Sequence, residues 1–436
     1  MSKIVAVLSL LISVSFACIP PANASGFSKL IENGGTGHSI IQTIDGGYVV
    51  TGVRTDFDTG DGTDSLLIKL NASGNLLWKK RFSGMTTLTS PAFSLLTLND
   101  VMEVDQGFLV VGATPNYDAT LRSEGMDMLV MKISSNGQIV WSKVFGSGGE
   151  DQMYSIAATK DGGSIASGSS GPFMFSSYRS NVVKFDRSGK TVWINSYDFG
   201  DFKNRIFQTT DGGFILSGST TTVPDIVTVV KLNQNGGMVW KKNIKAPKGL
   251  GFLDIVELAN GGYALEAYSF YKGFDGVAIV QLSSNGALLR SRFYEGVDAK
   301  TLVATSDQGL IIGGQLDGRG TIFKIDSGGQ VRWIKGFDET NSDYYGVNFI
   351  RSAKDGGYIL TGTTFVGGQA SLVIMKVDAN GDLNTCRVAT DSQITSRSLP
   401  IKVFNARLHT LKPDIKESTG KIKTKKYPFA VQSSCP

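Results

Sequence analysis

The sequence predicts an all-β protein, because two turn motifs and one aromatic position recur along the chain at a nearly constant spacing. An Asp-Gly-Gly triplet or a close variant begins at Asp45, Asp105, Asp161, Asp211, Asn260, Asp307 and Asp355. A Ser-Gly, Asn-Gly or Gly-Gly dipeptide follows each copy, at Ser73, Asn136, Ser188, Asn235, Asn285, Gly328 and Asn380. The five tryptophans all follow that dipeptide at the same place, at Trp78, Trp141, Trp193, Trp240 and Trp333.

Each copy predicts four short strands. In the third copy the strands are expected over residues 154–160, 164–169, 181–186 and 190–197, where apolar residues alternate between turn signals. Small turn dipeptides between apolar runs favour tight hairpins, so the unit is a four-stranded antiparallel meander. Seven such units, repeated every 47 to 60 residues, predict a seven-bladed β-propeller, in which radial repetition leaves few exposed edges.

The seventh copy ends at Cys386 before it reaches the tryptophan-containing fourth strand. Near the other end of the chain, Phe27-Ser-Lys29-Leu-Ile31 matches Trp141-Ser-Lys143-Val-Phe145 almost position for position. We therefore expect the N-terminal segment to supply the missing outer strand of the seventh blade and to close the ring.

The repeated positions are interpreted as structural. The last glycine of each triplet never changes within the chain, which predicts a turn with positive φ. The tryptophans are expected to pack between adjacent sheets. A lysine in the third strand is expected to lie on the solvated face or to snorkel toward it; it occurs at Lys69, Lys132, Lys184, Lys231, Lys324 and Lys376. The fifth copy departs from the pattern at Asn260, Ala267, Gln281 and Arg290, either by drift or as a specialised contact surface.

The two ends of the chain predict export and a C-terminal extension. Residues 1–24 have the basic start, apolar run and Ala-x-Ala site of a secretory signal peptide, so the mature protein is expected to be secreted or periplasmic. No later apolar run is long enough to span a bilayer. Residues 25–386 form the propeller domain, and residues 387–436 form an extension with ten Lys or Arg against three Asp or Glu, a net charge of +7.

The extension is expected to pack on the propeller as an appendage. In an oxidising compartment the two remaining cysteines, Cys386 and Cys435, predict a disulfide that ties the extension back to the repeats. Its lysine cluster, from Lys421 to Lys426, is either solvated or engages an anionic surface. Nucleic acid is not an expected partner of an exported protein.

Two sets of loop residues are candidate sites. The loop between the second and third strands of the first copy carries four carboxylates that could bind calcium through oxygen ligands, although a solvated acidic loop fits the same residues: Asp56, Asp58, Asp61 and Asp64. Calcium is the one cofactor that the sequence suggests. Aromatic and charged residues in other loops of that face could recognise a protein or glycan: Tyr117, Arg122, Phe173, Tyr178, Arg179, Tyr268 and Tyr271.

No sequence motif for nucleophilic catalysis or phosphate binding is present in the chain. The sequence therefore favours an exported, non-enzymatic module that binds a protein or glycan or acts as a scaffold at the cell envelope. The alternative is an extracytoplasmic carbohydrate-active enzyme with carboxylates near the central pore.

One segment, Asp186-Arg-Ser-Gly189-Lys-Thr-Val-Trp193, resembles the Asp-x-x-Gly-x-x-x-Trp packing motif of bacterial quinoprotein-like propellers. Sialidase-type Asp boxes are also similar, but they space the Asp and Gly differently. The triplet pattern at Asp45 and Asp355 is similar to that of a broad class of secreted bacterial propeller repeat proteins. The resemblance covers about residues 27 to 386 and implies the fold. Quinoproteins generally have eight blades, whereas this chain has seven copies and no adjacent cysteines, so quinone binding is not implied.

Overall fold

The structure is a computed structural model that describes residues 26–56, 62–83, 96–116, 125–147, 149–171, 178–199, 203–220, 226–246, 249–268, 276–337 and 345–383, and, in the C-terminal extension, 388–389, 394, 396–398, 402–405, 410–411, 416–419, 423–425 and 431–433. All regular elements in these ranges are β-strands. The predicted all-β class is therefore confirmed. No helix in the described ranges is long and apolar enough to cross a bilayer.

Strand β1 (Phe27–Ile31) begins the described chain, and 27 strands follow it in consecutive groups. The first four groups are β2 (Thr36–Gln42), β3 (Tyr48–Asp56), β4 (Gly62–Leu70) and β5 (Leu76–Ser83); β6 (Thr97–Val104), β7 (Gly107–Asn116), β8 (Gly125–Ser134) and β9 (Ile139–Gly146); β10 (Glu150–Ala158), β11 (Ser164–Gly171), β12 (Arg179–Phe185) and β13 (Thr191–Tyr197); and β14 (Arg205–Gln208), β15 (Phe214–Thr220), β16 (Ile226–Leu232) and β17 (Met238–Lys245). The last three are β18 (Gly251–Glu257), β19 (Tyr263–Tyr268), β20 (Gly276–Leu282) and β21 (Leu288–Glu295); β22 (Val297–Ala304), β23 (Leu310–Leu316), β24 (Arg319–Ile325) and β25 (Val331–Phe337); and β26 (Tyr345–Ser352), β27 (Tyr358–Val366) and β28 (Gln369–Val377).

Each group is an antiparallel meander, which we number one to seven in chain order. The seventh contains only three consecutive strands, and β1 pairs antiparallel with β28 as its fourth, with Phe27 opposite Lys376. Phe27 thus takes the place that Trp141 has opposite Lys132 in the second meander. The prediction that the N-terminal segment completes the seventh unit is confirmed. The second and third meanders share one parallel bridge, between Met126 and Glu150, so the seven meanders form six hydrogen-bonded sheets.

The apolar core lies between the meanders. Among the described residues it divides into seven clusters, and each cluster draws on two neighbouring meanders. One of them joins the last meander to the first, through residues such as Phe27, Ile374, Ile40 and Tyr48. Strand β26 correspondingly contacts β2. Successive sheets therefore pack face to face from the first meander round to the seventh and back to the first, in a propeller-like arrangement.

The C-terminal extension adds a fifth strand to every meander. Its seven short strands, which we call the belt, are β29 (Val388–Ala389), β30 (Ser396–Ser398), β31 (Lys402–Asn405), β32 (Thr410–Leu411), β33 (Lys416–Thr419), β34 (Lys423–Lys425) and β35 (Val431–Ser433). They pair antiparallel with the outer strands of meanders six, five, four, three, two, one and seven, in that order. The belt thus runs against the chain order, and part of the predicted lysine cluster, Lys423–Lys425, is one of its strands.

The invariant glycine has a different cause from the one predicted. In six of the seven triplets positive φ falls on the middle residue alone, for example Gly162 with φ 79°, whereas Gly107 also has positive φ. A Cβ atom at Gly163 would lie only 2.2 Å from the backbone oxygen of Phe185 in the third strand. In the fourth meander the corresponding distance, from Gly213 to the oxygen of Leu232, is 2.4 Å. The glycine is required because the third strand passes too close for any side chain.

Four of the six third-strand lysines, Lys69, Lys184, Lys231 and Lys376, are buried, so the expectation of a solvated face is wrong for these four, and their ammonium groups reach the turn carboxylates at the surface. Lys231 is 5% exposed, and its ammonium group lies 2.7 Å from the carboxylate of Asp211 in the triplet turn. Equivalent ion pairs join Lys69 to Asp45, Lys184 to Asp161, Lys324 to Asp307 and Lys376 to Asp355. The fifth meander replaces both partners together, with Asn260 and Gln281. Its deviation therefore removes a charged pair without leaving either charge alone.

Hydrogen bonding accounts for the ionised state of the turn carboxylates. Hydrogen bonds from the Thr159 hydroxyl and the Lys184 ammonium group lower the pKa of Asp161 to about 2. Since this pKa is lowered in the folded protein, the associated stability is present above the ordinary value of 3.8 and is lost as the pH falls toward 2.

The tryptophans pack between meanders, as predicted. Trp193 contacts Phe214 of the next meander with ring centroids 6.4 Å apart. It also lies against the turn glycine Gly236, where an added Cβ would be 3.1 Å from the indole. In the first meander the indole N–H of Trp78 donates to the backbone oxygen of Ser135. The indoles thus fix the spacing of neighbouring sheets.

The ion pair can be tested with the fifth meander as a guide. We expect Asp211→Asn to destabilise the protein by about 1 kcal/mol, because it leaves the buried Lys231 ammonium group without its carboxylate. The double variant Asp211→Asn/Lys231→Gln reproduces the neutral pair of the fifth meander and should recover part of that loss. Urea denaturation of the two single variants and the double variant measures the coupling. Strict additivity of the two substitutions would contradict the role given to the pair.

The belt predicts a second stability effect. A chain that ends at residue 387 exposes the outer edges of all seven meanders, and unpaired edges favour aggregation. We expect its Tm to fall by about 5 °C or more, with loss of amide protection in β1, β5 and β9 in hydrogen exchange. A chain that ends at residue 430 loses only β35 and should lose protection in β1 alone. Unchanged protection in both truncated chains would show that the belt does not hold these edges.

Candidate functional site

The first strands of six meanders contain a β-bulge at the same place. The register shifts fall between Gly37 and Ser39, Leu98 and Asp100, Met153 and Ser155, Phe252 and Asp254, Ala299 and Thr301, and Val347 and Phe349. A bulge leaves one residue unpaired and re-aims its side chain. The residues left over are His38, Asn99, Tyr154, Leu253, Lys300 and Asn348, and all six line one cavity.

This cavity has a volume of about 490 Å³ and receives residues from all seven meanders. The fourth meander contributes Lys203, Asn204 and Arg205, at the start of β14. The cavity lies where the first strands begin, at the end of the meanders that also carries the loops between second and third strands. We call it the channel mouth. Its size is typical of sites for small ligands.

A run of hydrogen bonds joins neighbouring first strands just inside the channel mouth. The carboxylate of Asp100 accepts from the backbone N–H of Ile156 at 3.1 Å and from the Ser39 hydroxyl at 2.7 Å. The carboxylate of Asp254 accepts from the Thr301 hydroxyl at 3.3 Å and from the N–H of Leu302 at 3.4 Å. Ser155 and Thr301 accept equivalent bonds from Ile206 and Ile350. These side chains tie the inner strands together.

Arg205 lies between the two aspartates. Its guanidinium is 3.9 Å from the carboxylate of Asp100 and 3.4 Å from that of Asp254. All three side chains are largely buried. Both carboxylates therefore already have a cation and backbone N–H donors as partners, and neither is available as a base or a nucleophile.

A second guanidinium lies near Arg205. Arg351 stacks on Phe349 with 3.9 Å between its guanidinium carbon and the ring centroid, and Arg205 is 5.6 Å from the same ring. Burial lowers the pKa of Arg351 to about 9, with Arg205 adding to the effect and Asp100 and Asp254 opposing it. The wall of the channel mouth is thus rich in cationic groups held by packing.

Lys203 also lines the channel mouth, where it is exposed. It has no hydrogen bond or ion pair within the part of the chain that the structure describes. Surrounding protein lowers the pKa of its ammonium group, while Asp254 and Glu266 act to raise it. Lys203 also has φ 75°, a conformation that residues other than glycine rarely adopt. Backbone strain of this kind persists where the surroundings impose it, often at functional sites.

The other titratable lining residues have partners. Lys300 forms an ion pair with Asp298 at 3.0 Å. His38 interacts with the backbone of Leu98 and with Asn99, and burial lowers the pKa of its imidazole. A neutral His38 is therefore expected at neutral pH.

Glu266 lies behind this wall in β19, directly opposite Asp254 in the strand pairing. Its side chain is completely buried, and neither carboxylate oxygen has a hydrogen-bond partner among the described residues. Burial raises the pKa of Glu266 well above its usual range, and Asp254 adds to the effect. Burial therefore favours the protonated form of Glu266 more than that of an ordinary glutamate.

The sequence-predicted sites lie elsewhere or outside the described residues. Of the calcium candidates, Asp58 and Asp61 are outside them and the Asp56 side chain is not described, whereas Asp64 is buried in an ion pair with Arg81. No cluster of three or more metal-binding side chains occurs in the described ranges. Of the loop candidates, the structure does not describe Tyr117, Arg122, Phe173 and Tyr271. The described ones, Tyr178, Arg179 and Tyr268, do not line the channel mouth. Cys386 and Cys435 are also outside the described residues, so their disulfide stays a prediction.

Sequence reasoning missed the channel mouth. A signal was present in the sequence. In six of the seven copies a polar residue stands two positions before an aliphatic residue of the first strand: His38, Asn99, Tyr154, Asn204, Lys300 and Asn348. Leu253 is the seventh. These polar residues were not predicted as a site because the bulge interrupts the alternation of apolar and polar residues from which the first strand was recognised.

No protein-family model and no curated protein matches the chain, so the resemblance to quinoprotein-like propellers stays a prediction. Several solved structures are similar at low identity. Sqt1 from Chaetomium thermophilum, bound to the N-terminus of the ribosomal protein L10, is 11% identical, with 80% of this chain and 98% of that chain covered and a TM-score of 0.45.

Two further structures are similar to the same degree. A protein of unknown function from Dyadobacter fermentans is 10% identical, with 80% of this chain and 98% of that chain covered and a TM-score of 0.43. Trypanosoma rangeli sialidase in complex with the inhibitor DANA is 10% identical, with 80% of this chain and 59% of that chain covered and a TM-score of 0.41. Similarities with such low sequence identity and TM-scores do not indicate what this chain binds.

Glu266 gives a pH prediction. Since its pKa is raised in the folded protein, its contribution to stability is greatest below the ordinary value of 4.5 and is lost as the pH rises toward the folded pKa. We expect Glu266→Gln to remove this loss, so the stability of the variant relative to the wild type should grow by up to about 1.4 kcal/mol per pH unit above pH 5. Urea denaturation from pH 5 to 8 measures it, with Glu32→Gln, in a partly exposed turn, as control. A parallel pH dependence of wild type and Glu266→Gln would contradict the buried, protonated state.

Proposed function

We propose that the protein is a seven-bladed β-propeller that acts as a non-enzymatic binding module and takes its ligand at the channel mouth. The observation that carries this proposal is the convergence of bulge residues from the inner strands on one cavity of about 490 Å³. The same interruption of strand pairing recurs in the first strands of six meanders and leaves six side chains that line this cavity. Bulges that re-aim side chains are typical of ligand sites.

The seven-bladed ring is supported by the contacts between the last and first meanders. Strand β1 completes the seventh meander, and the cluster around Phe27 and Tyr48 joins it to the first. The amide of Asn348 in the seventh meander donates to the backbone oxygen of Gly37 in the first at 3.2 Å. Each of these interactions has a counterpart between consecutive meanders, for example the bond from Asn99 to Met153.

Binding is favoured over catalysis by the state of the carboxylates. Glycoside hydrolysis needs two carboxyl groups that reach the same glycosidic bond. Asp254 and Glu266 are neighbours, and the raised pKa of Glu266 would suit a general acid. Glu266 does not line the cavity, however, and Asp100 and Asp254 are occupied by Arg205 and backbone N–H groups. An enzyme would need these side chains to rearrange before they could act.

Three further features of the sequence belong to the same proposal. Export through the signal peptide of residues 1–24 would place the domain of residues 25–386 and the extension of residues 387–436 in the periplasm or outside the cell. A Cys386–Cys435 disulfide would join the segment before the belt to the segment after it. Calcium remains a candidate ligand of the loop that contains Asp58 and Asp61, and a glycan or protein of the envelope remains the proposed partner.

A glycan array probed with the mature protein tests the site. Gln152 lines the channel mouth, and Gln152→Trp would fill it. We expect this variant to lose at least about tenfold in affinity for any glycan that the wild type retains, because the cavity can no longer admit it. Tyr178→Ala, in the loop that the sequence favoured, is the matched control and should bind normally. Equal binding by Gln152→Trp and the wild type would place the site elsewhere, and release of shortened glycan by the wild type would favour the enzyme.

A further inference from the structure

We propose that the end of the meanders opposite the channel mouth docks on an anionic lipid bilayer. The docking surface consists of one aliphatic side chain near the start of each of five outer strands, which we call the apolar arc: Leu77, Val140, Val192, Val239 and Leu289. The proposal rests on the strand register, on the exposure of these residues and on the positive charge of the same strands. It does not depend on the ligand of the channel mouth.

The outer strands contain a β-bulge of their own. In the first meander Leu70 faces Leu76 and Lys69 faces Trp78, so Leu77 has no partner in the strand pairing. The same shift recurs in six meanders, and the residues left over are Leu77, Val140, Val192, Val239, Leu289 and Arg332. Because a bulge re-aims the side chain of its extra residue, one position in each of these strands is turned away from the regular pairing.

The bulge residues of the first five meanders are exposed although they are aliphatic. Their exposed fractions lie between 56% and 59%. Ten large hydrophobic side chains are exposed among the described residues, and nine of them lie at this end of the meanders, since Leu76, Met238, Leu288 and the turn residue Ile44 join the arc. Phe365, the tenth, lies at the other end. Single exposed aliphatic residues are ordinary, whereas repetition at one level marks an interaction surface.

The apolar arc has the geometry of a flat contact. Each of its residues follows the turn between the third and fourth strands, whereas the channel mouth lies where the first strands begin, at the other end of the meanders. Equivalent positions of successive meanders lie at one level. The sixth meander has Arg332 there, and in the seventh Gly26 precedes Phe27, so the arc covers the first five meanders. A bilayer can contact several of these positions at once.

Positive charge is concentrated in the same outer strands. β1, β5, β9, β13, β17, β21 and β25 together contain twelve Lys or Arg against one Glu. Four of these cations form ion pairs with carboxylates from outside these strands: Arg81, Lys241, Arg332 and Lys335. Counting those carboxylates leaves 12 − 1 − 4 = 7 positive charges in excess. The extension, with a net charge of +7, adds to this excess.

The turns at this end do not reverse the sign. Five of their carboxylates pair with third-strand lysines, as Asp211 does with Lys231. The remaining charges of this end are equal in number, with five carboxylates and five cations: Glu103, Asp105, Asp186, Glu257 and Asp378, and Lys132, Lys160, Arg187, Lys190 and Lys354. The excess of the outer strands is therefore kept.

The spacing of apolar and cationic residues favours lipid over another polyanion. Lys80, Lys143, Lys242 and Arg292 each follow a residue of the arc by three positions. At about 3.3 Å per residue, their backbone lies about 10 Å behind the arc. Apolar side chains at a bilayer interface enter about 5–10 Å deep, which brings these cations to the lipid phosphates. An anionic polysaccharide would pair with the cations and leave the arc without a partner.

Vesicles of defined composition test the proposal. We expect the mature protein to sediment with vesicles of equal parts phosphatidylglycerol and phosphatidylcholine at least about tenfold more tightly than with vesicles of phosphatidylcholine alone. Added salt should narrow the difference, because it screens the contribution of the outer-strand cations.

Serine variants of the apolar arc locate the contact. Leu77→Ser/Val239→Ser/Leu289→Ser should weaken binding to the anionic vesicles by at least about tenfold, because less apolar surface enters the interface. Phe365→Ser removes an exposed apolar side chain at the other end and is the matched control, which should bind normally. Thermal unfolding checks that each variant folds, and Leu77→Ser alone gives a smaller loss that can be measured if the triple variant unfolds.

Three results would overturn the proposal. The first is equal binding of the two kinds of vesicle, and the second is full binding of anionic vesicles by the triple serine variant. The third is the absence of vesicle binding by the wild type. In that case, sedimentation velocity that shows a dimer lost in the triple variant would assign the arc to contact between two copies. Binding of dextran sulfate that this variant keeps would assign the cations to a soluble polyanion.

Discussion

The structure depends on the antiparallel pairing between Phe27–Ile31 and the third strand of the seventh meander. A meander with three strands would leave an open edge and a gap in the apolar cluster between the last and first sheets. The segment that fills this gap comes from the opposite end of the chain, so the two ends hold each other in place. The channel mouth depends on the same pairing, because adjacent residues of the first and seventh meanders both line it.

The outer edge of the ring repeats this solution seven times. The belt gives each outer strand a partner, and its last strand, β35, pairs with β1 itself. Strand β1 is therefore paired along both of its edges, with β28 on one side and β35 on the other. The basic residues of the extension suggested a surface for anionic partners. Part of this basic segment, Lys423–Lys425, is a belt strand that pairs with the first meander through its backbone. Chain closure therefore rests on both termini rather than on the N-terminal strand alone.

Charged pairs follow two patterns in this fold. At the triplet turns, each buried lysine has a carboxylate from its own meander, and the fifth meander replaces both members at once. At the channel mouth, Arg205 instead faces aspartates of two other meanders, whereas Lys300 pairs with Asp298 of its own strand. Lys203 is the member of this second set without a protein partner among the described residues. The repeated positions build the meanders, whereas residues that differ from one meander to the next line the channel mouth.

The sequence alone determined the repeated unit, its turns, the packing tryptophans and the completion of the seventh unit by Phe27–Ile31, because these depend on local spacing and on similarity between copies. It misassigned the buried lysines and the cause of the invariant glycine, since both reflect contacts between strands about twenty residues apart. Only the tertiary structure placed the belt, whose short strands have no pattern of their own and depend on the edges they meet. The same holds for the channel mouth: Asp100, Arg205, Asp254 and Lys300 are about fifty or more residues apart in sequence, and only the packing of the meanders brings their charges together.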